Sequence, residues 1–438
     1  EMTSSLVGSE MCIRDRPMVN LRDCEEAFVN CTGITGNIPE NFFEGPGSSL
    51  QVTKHMLANC TGIEDVPSNN LFSNNPNIKD VSYMFSGCTG ITGRVPGTIF
   101  KGREKLESVE GFFRNCSGVW GEIPRTIFRH CTNSKNSVLK YISYFFDGTS
   151  VEGEIPRYIS DSDKGLFDDL PYLENASRVF PKTISGTIPP DLFKYNPRLS
   201  EVNYLFDGCT MIEGSIPETL LAGKDQLKSA NGLFRGCTGI NSIIPRRLFE
   251  GCVVLTDIKE IFSGCKSLTG QIPARVTRTI QVPSEENPEE MIEVVEIVEY
   301  GLFDYATSIR NAAGVFCDCI KLNGNIPEEL FVAGDQIEDL SNAFTRCYEL
   351  SGPIPAGLLK NCKSLLKASS MFLDCCKLGR SDVSMTEDDP WAVPPELFEN
   401  CKELVDASNC FYMWGQNKPQ ESVPVSYTHL RAHETRRH

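Results

Sequence analysis

The sequence has little histidine, and this limits the chemistry it can support. Only 5 of the 438 residues are histidine. Three of them lie near the C-terminus, at His429, His433 and His438. The other two, His55 and His130, are far apart in the chain, so no Ser-His-Asp or Cys-His pairing can be nominated. We therefore predict no catalytic residues and no enzymatic activity.

Long apolar runs and positive charge are also missing. No stretch of 18 or more apolar residues occurs, which predicts no membrane insertion. The net charge of −16 argues against nucleic acid and anionic membranes as partners. No Gly-Lys-Ser/Thr string occurs, so no phosphate-binding loop and no cofactor are predicted.

Metal ligands are not arranged in a recognisable pattern. Cys317-x-Cys319 and Cys375-Cys376 lack the spacing of zinc sites, so we predict no metal centre. Two acidic clusters, at 284–290 and 386–391, lack the ordered spacing of a calcium loop. Whether either of them binds a cation stays open at this point.

What the sequence does have is a repeat. Ile-Pro or Val-Pro pairs, with one Val-Pro-Pro, recur mostly every 28 residues, with a few longer gaps. The repeated prolines are Pro39, Pro67, Pro96, Pro124, Pro156, Pro189, Pro217, Pro245, Pro273, Pro327, Pro355 and Pro394. A fixed period of this length is typical of solenoids and related arrays. The prediction is an α/β repeat solenoid of about twelve to thirteen 28-residue coils.

The pattern within one coil predicts its local structure. Apolar residues at Val81, Met84, Phe85 and Cys88 follow the spacing of one helical face, which predicts a short helical turn. The segment before Pro96 alternates and should be extended. A second short helical turn is expected after the proline. In nine of the twelve repeats a glycine stands three residues before the proline, and it should serve a turn or a close approach between coils.

The 19 cysteines raise the question of disulfides. Ten of them share one column of the repeat, and in two coils that column holds Thr149 and Thr183 instead. Threonine can replace a small buried thiol but not half a disulfide. Stacked coils would also point these side chains in parallel, about 5 Å apart. The pattern favours a ladder of reduced thiols over a disulfide framework, which stays the alternative.

Insertions and chain ends divide the sequence. The solenoid should cover residues 17–415, with a hairpin insertion at 274–311 and a loop insertion at 379–391. The hairpin is expected because VTRTIQV and MIEVVEIVEY are β-branched and partly alternating. Residues 1–16 and 416–438 lack the coil pattern. Both ends resemble translated sequencing-adapter sequence, which implies non-native tails.

One column of the repeat is a candidate ligand-facing surface. The residue two before each core phenylalanine varies widely, whereas its neighbours stay apolar. Core positions are constrained by packing, so a variable column should face outward. Tyrosine gives a large contact area at low entropy cost. We therefore predict that Tyr83, Tyr144 and Tyr204 face the ligand, together with the hairpin.

The strings MFSGCTGIT and LFENCKELVDASNCF resemble the BspA-type leucine-rich-repeat family, and LTGQIP and ITGRVP are similar to plant-type leucine-rich repeats. The Leu-x-x-Leu-x-Leu-x-x-Asn strand of standard repeats is absent. The resemblance implies a secreted or cell-surface scaffold for adhesion, which binds a protein or glycan ligand on a host or neighbouring cell. The alternatives are a polysaccharide-active enzyme on a parallel solenoid and a structural fibre or phage-tail component.

Overall fold

The computed structural model describes residues 20–129, 137–160, 163–284, 291–379 and 393–412. The chain divides into two compact units between Asn241 and Ser242, and each unit is a stack of short coils. The expected tails, His130, Cys131 and most of both acidic clusters lie outside the described residues. The loop insertion does too, apart from Gly379. Predictions about these segments stay predictions.

In the first unit, short strands from successive coils pair in parallel. They are β1 (Thr35–Gly36), β2 (Gly62–Ile63), β3 (Thr92–Arg94), β4 (Gly118–Glu122), β5 (Ser150–Glu154), β6 (Ile184–Gly186) and β7 (Met211–Ile212). The pair β1–β2 forms one sheet, and β3 to β7 form another in chain order. These strands coincide with the extended segment expected before each proline.

In the second unit, the named strands belong to the insertion. β8 (Val276–Pro283) and β9 (Met291–Glu299) form an antiparallel hairpin, with Ile280 opposite Val294. The coils of this unit meet through single-residue parallel bridges, such as Asp339 with Lys367. The hairpin expected from the alternating sequence is therefore present.

The expected helical turns are wrong. Within the described residues the structure has no α-helix, and its one helical element is the 3₁₀ segment Gly47–Ser49. The Val81–Cys88 stretch consists of consecutive tight turns instead. Tyr83 and Gly87 have φ angles of 54° and 75°, in the left-handed region. A right-handed helix cannot pass through such residues, so the apolar spacing is right and the backbone is not helical.

The hydrogen bonds of these turns alternate between two kinds of partner. The N–H of Tyr83 donates to the Glu110 carbonyl of the next coil, at 2.6 Å, and the N–H of Phe85 donates to the Phe112 carbonyl, at 3.2 Å. The intervening Met84 N–H donates back to Val81 of its own coil, at 3.3 Å. A helix would keep every N–H within its own segment. Here half of the N–H groups donate to carbonyls of the next coil instead.

The number of turns also differs from the expectation. In the part of the chain that the structure describes, about six turns of the solenoid carry strands that pair with a neighbouring turn, fewer than the twelve to thirteen coils that the 28-residue period predicts. Repeats of the second unit meet their neighbours through single bridged residues rather than strands, as Gly324 does with Leu350. A sequence period does not reveal how much of each repeat becomes extended.

The core contains one phenylalanine column, made by the residue that follows the variable position by two in most repeats. Its members are 0% exposed: Phe85, Phe113, Phe206, Phe234, Phe262, Phe316, Phe344 and Phe372. In the second unit their rings stack in register. Phe316 lies 5.8 Å from Phe262 and 5.7 Å from Phe344 between ring centroids. Such stacking adds to the burial of apolar area.

The cysteine column is a ladder of hydrogen-bonding thiols. Cys88, Cys116 and Cys347 are free thiols and 0% exposed. Each donates its S–H to a carbonyl of the preceding coil. Cys116 bonds to Phe85 at 2.9 Å and Cys347 bonds to Phe316 at 3.0 Å. Thr183 bonds to the Val151 carbonyl in the same way, which explains why threonine fits this column.

The repeated glycine before the proline lies close to the preceding coil in several repeats, although not at Gly36. Gly93 has a φ of 141°, and a β-carbon there would lie 2.9 Å from Val66 of the preceding coil. A side chain would therefore be strained in its backbone and would also collide with the neighbour.

Candidate binding surface

A groove in the first unit runs across strands β3, β4 and β5. Its volume is about 770 Å³, within the range of roughly 300–1,000 Å³ typical of ligand sites. The floor is apolar because the Val-Pro and Ile-Pro pairs of successive coils align there, including Val95, Ile123 and Ile155. Alternation along each strand then points Arg94, Trp120, Glu122 and Glu154 outward.

Two large apolar side chains stand exposed in this groove. Trp120 is 48% exposed and Ile159 is 64% exposed. The Arg94 guanidinium lies over the Trp120 ring, 5.3 Å from its centroid. Such a cation–π contact holds the indole in place while most of its outer edge stays in solvent.

The rim of the groove carries both signs of charge. Arg157 Nη2 lies 3.3 Å from Glu154 Oε2 and 3.2 Å from Thr187 Oγ1. Arg125 donates to the Lys164 carbonyl at 3.0 Å. These arginines are thus fixed by neighbouring coils before any ligand arrives. The groove therefore combines an apolar floor with a charged, ordered rim.

Tyr83, the first of the three predicted ligand-facing residues, is half-buried. Its ring lies against the next coil, where a β-carbon on Gly111 would overlap it. The Tyr83 hydroxyl donates to Glu110 Oε1 at 2.8 Å, and the ring stacks on His55 with centroids 4.8 Å apart. Burial and the Glu110 carboxylate raise the pKa of the Tyr83 phenol. Much of this side chain is already occupied by its own protein.

Tyr144 and Tyr204 are half-buried in the same way, with arginines as their partners. The Arg114 guanidinium lies 4.6 Å from the Tyr144 ring centroid. Arg178 and Arg235 lie 4.5 and 4.8 Å from the ring of Tyr204. The three tyrosines therefore occur in one column but form a row of rings and cations along the coils rather than one pocket.

Sequence reasoning missed the left-handed backbone of this column. Every described member has a φ between 51° and 62°: Glu26, His55, Tyr83, Gly111, Tyr144, Arg178, Tyr204, Gly232, Glu260, Gly314, Asn342, Ser370 and Asn409. The signal was there, because glycine and asparagine recur in the column and are the residues that favour this conformation. The residue type in this column therefore varies widely, whereas the backbone conformation stays the same.

Sequence reasoning also missed the groove. Trp120 is one of only three tryptophans in the chain, and it lies in the extended segment of its repeat, four residues before Pro124. The arginines that converge with it come from three coils, which only the stacking brings together.

In the part of the chain that the structure describes, no group of three or more His, Cys, Asp or Glu side chains is placed to hold a metal ion. Likewise, no helix there has the length and apolar character needed to cross a bilayer.

No protein-family model and no curated protein matches the sequence. Among solved structures, the chain is similar to the plant peptide hormone receptor RGFR1 in complex with RGF2, with 15% identity and a TM-score of 0.28. That match covers 87% of this chain and 65% of the receptor.

The chain is also similar to the Arabidopsis receptor kinase HAESA in complex with the peptide hormone IDA and the co-receptor SERK1, with 14% identity and a TM-score of 0.32. That match covers 89% of this chain and 66% of HAESA, so the chain spans less than two thirds of either receptor. These neighbours are leucine-rich-repeat proteins. Neither the BspA-type family nor the origin of the chain ends follows from them.

Proposed function

We propose that this chain is a non-catalytic scaffold that binds a protein partner through the groove over β3, β4 and β5. The observation that supports the proposal is the exposed pair Trp120 and Ile159 above an apolar floor, surrounded by arginines and glutamates. Protein interfaces have an apolar centre and a polar rim. Tryptophan and arginine are the residues that contribute most to binding at such interfaces.

Pre-ordering of the groove also supports this function. Arg94, Arg125 and Arg157 have partners within the protein. Binding therefore does not have to immobilise three long side chains, each of which would otherwise cost about 0.5–1.5 kcal/mol. A groove prepared in this way loses little side-chain entropy when a partner binds.

We further propose that Tyr83, Tyr144 and Tyr204 contribute a second, weaker contact region. Their half-buried rings leave only part of each side chain for a ligand. We expect this contribution to be smaller than that of Trp120, because the rings already pack against His55, Arg114 or Arg178.

We propose that the scaffold acts outside the cell or on its surface, as the BspA-type resemblance implies. Reduced cysteines are compatible with that location because the thiols of the ladder are inaccessible. Burial raises the pKa of the Cys116 thiol to about 12. Since the thiolate is the reactive form, such a thiol resists oxidation.

The experiment is a binding screen of the full chain against an array of secreted and surface proteins and a glycan array. A hit is then compared with Trp120→Ala and with the matched control Tyr195→Ala, whose side chain is 44% exposed outside the groove. We expect Trp120→Ala to weaken binding by roughly 30-fold or more, about 2 kcal/mol, and Tyr195→Ala to change it little.

Other results would contradict the proposal. A protein ligand whose affinity is unaffected by Trp120→Ala would place the site elsewhere. Binding confined to glycans would replace the protein partner with a carbohydrate. If Tyr144→Ala abolishes binding and Trp120→Ala leaves it unchanged, the tyrosine column is the main site.

A further inference from the structure

The β8–β9 hairpin is the most exposed apolar element of the second unit. Five large apolar residues of β9 are at least 38% exposed: Met291, Ile292, Val294, Val295 and Val298. They lie on both faces of the ribbon, because Val294 and Val295 are adjacent in an extended strand. On β8, Val276 is the one large apolar residue that is comparably exposed.

This arrangement is unfavourable for a ribbon that stays in solvent. A two-stranded hairpin is marginally stable on its own, and a strand that is apolar on both faces is typical of the interior of a sheet. Long apolar edge strands are normally protected by charged side chains, above all lysine, by proline or by a bulge. β9 has no lysine or proline, its charged residues are three glutamates, and the one register shift of the hairpin lies at its base, between Val276 and Thr277.

Among the described residues neither edge of the ribbon pairs with a further strand, and most of the exposed apolar residues lie on β9. A further strand added beside β9 would place one of its faces next to Val295 and the other next to Val294. The β8 edge is less suited, because it ends in Pro283, which has no N–H to donate. The structure therefore indicates the outer edge of β9 as the position of a missing strand.

The charge of the ribbon limits what that strand can be. β9 carries Glu293, Glu296 and Glu299, whereas β8 contributes only Arg278. Arg278 pairs with Glu296 at 2.7 Å, and Arg246 pairs with Glu299 at 2.9 Å. The partner of Glu293 is the uncharged Gln281, at 3.0 Å. An added strand with basic residues would be favoured by opposite-charge pairs across the strands.

A second copy of the chain fits poorly on this edge. Pairing β9 with β9 would bring six glutamates into neighbouring strands, and like charges there are destabilising. Packing two ribbons face to face would bury roughly 500 Å² in total, from strands of about 26 Å by 10 Å. That is well below the roughly 1,200 Å² of a stable interface.

We propose that β9 accepts a strand from a partner protein, in which lysine or arginine alternates with β-branched apolar residues. This site is separate from the groove and does not depend on the function proposed for it. Main-chain hydrogen bonds would supply affinity and the alternating side chains would supply selectivity, as in strand addition generally.

The test measures binding of nine-residue peptides in which valine or isoleucine alternates with lysine, by fluorescence anisotropy with the full chain at low salt. Three control peptides replace lysine with glutamate, scramble the order, or carry N-methyl groups along one edge of the backbone. Hydrogen–deuterium exchange of residues 291–299 is followed with and without peptide. The chain variants are Val295→Arg and the matched control Val405→Arg, whose side chain is 75% exposed.

We expect the basic alternating peptides to bind and to slow exchange along β9, with weaker binding as salt increases. Val295→Arg should weaken binding at least 10-fold, and Val405→Arg less than 2-fold. The N-methylated peptide should not bind, because it cannot form the ladder.

Several outcomes would overturn the proposal. The strand site is wrong if no basic alternating peptide binds, or if the N-methylated peptide binds equally well. Sedimentation that shows a dimer abolished by Val295→Arg would make a second copy the occupant. Trp120→Ala should leave peptide binding unchanged, so this result and the groove experiment can fail separately.

Discussion

Gly111→Ala tests whether the Tyr83 ring packs against the next coil at Gly111 and so contributes to the stability of the fold. Gly111 is in the left-handed region at φ 57°, and a β-carbon there would overlap the Tyr83 ring. The backbone strain costs about 1–2 kcal/mol, of which about 0.4–1 kcal/mol is offset by the lower entropy of the unfolded alanine chain. Relief of the overlap requires the Tyr83 ring to move.

Displacing that ring adds to the cost. The hydrogen bond from the Tyr83 hydroxyl to Glu110 would be lost, at about 1 kcal/mol for this half-exposed site. The stack on His55 would be weakened, at about 0.5–1.5 kcal/mol. We therefore expect Gly111→Ala to lower the free energy of unfolding by about 2–4 kcal/mol in the natural background. In a Tyr83→Ala background it should cost only about 1 kcal/mol, the strain alone.

The assay is urea denaturation monitored by circular dichroism. Measuring both single variants and the double variant gives the coupling energy between positions 83 and 111 directly. Gly102→Ala is the matched control. Gly102 has a φ of 79°, but a β-carbon there would meet no atom within 4 Å. Its cost should therefore be the same with or without the Tyr83 ring. Equal costs for Gly111→Ala in the two backgrounds would refute the placement of the ring.

Three further predictions concern the core, the thiols and the backbone. Phe316→Ala should lower the free energy of unfolding by about 3–5 kcal/mol, because it opens a cavity in a fully buried stack; a loss below about 1 kcal/mol in denaturant titrations would contradict the stack. Cys116 has its pKa raised by burial to about 12, so the unfolded chain releases this proton first as pH rises. The contribution of this thiol to stability should be constant below about pH 8.5 and fall between there and pH 12, by up to about 1.4 kcal/mol per pH unit, in denaturation series at fixed temperature. Native thiols of the ladder should also react slowly with a thiol reagent until the chain is unfolded, and fast reaction of the folded protein would show that they are accessible. Ser370→Gly should raise stability by about 0.5–1 kcal/mol, because Ser370 occupies a φ of 55° that glycine adopts without strain; a Tm unchanged or lowered in thermal melts would show that the position is unstrained.

The sequence by itself determined the repeat and its buried columns. Residues that recur every 28 positions must occupy equivalent sites in stacked units, so burial of Phe316 and approach of Gly93 to the neighbouring coil follow from periodicity alone. The thiol ladder follows in the same way, because threonine in place of cysteine excludes an obligatory disulfide. The β-branched alternation of 276–282 and 291–300 was likewise enough to predict a hairpin.

Only the tertiary structure decided the backbone between these columns and the surface above them. The spacing of Val81, Met84, Phe85 and Cys88 fits a helix and also fits a chain of turns with left-handed residues. The choice depends on hydrogen bonds to the next coil, which no single repeat contains. The groove has the same origin: Arg94, Trp120 and Arg157 come from three coils, and their convergence is set by the stacking of those coils and not by their distance in the chain.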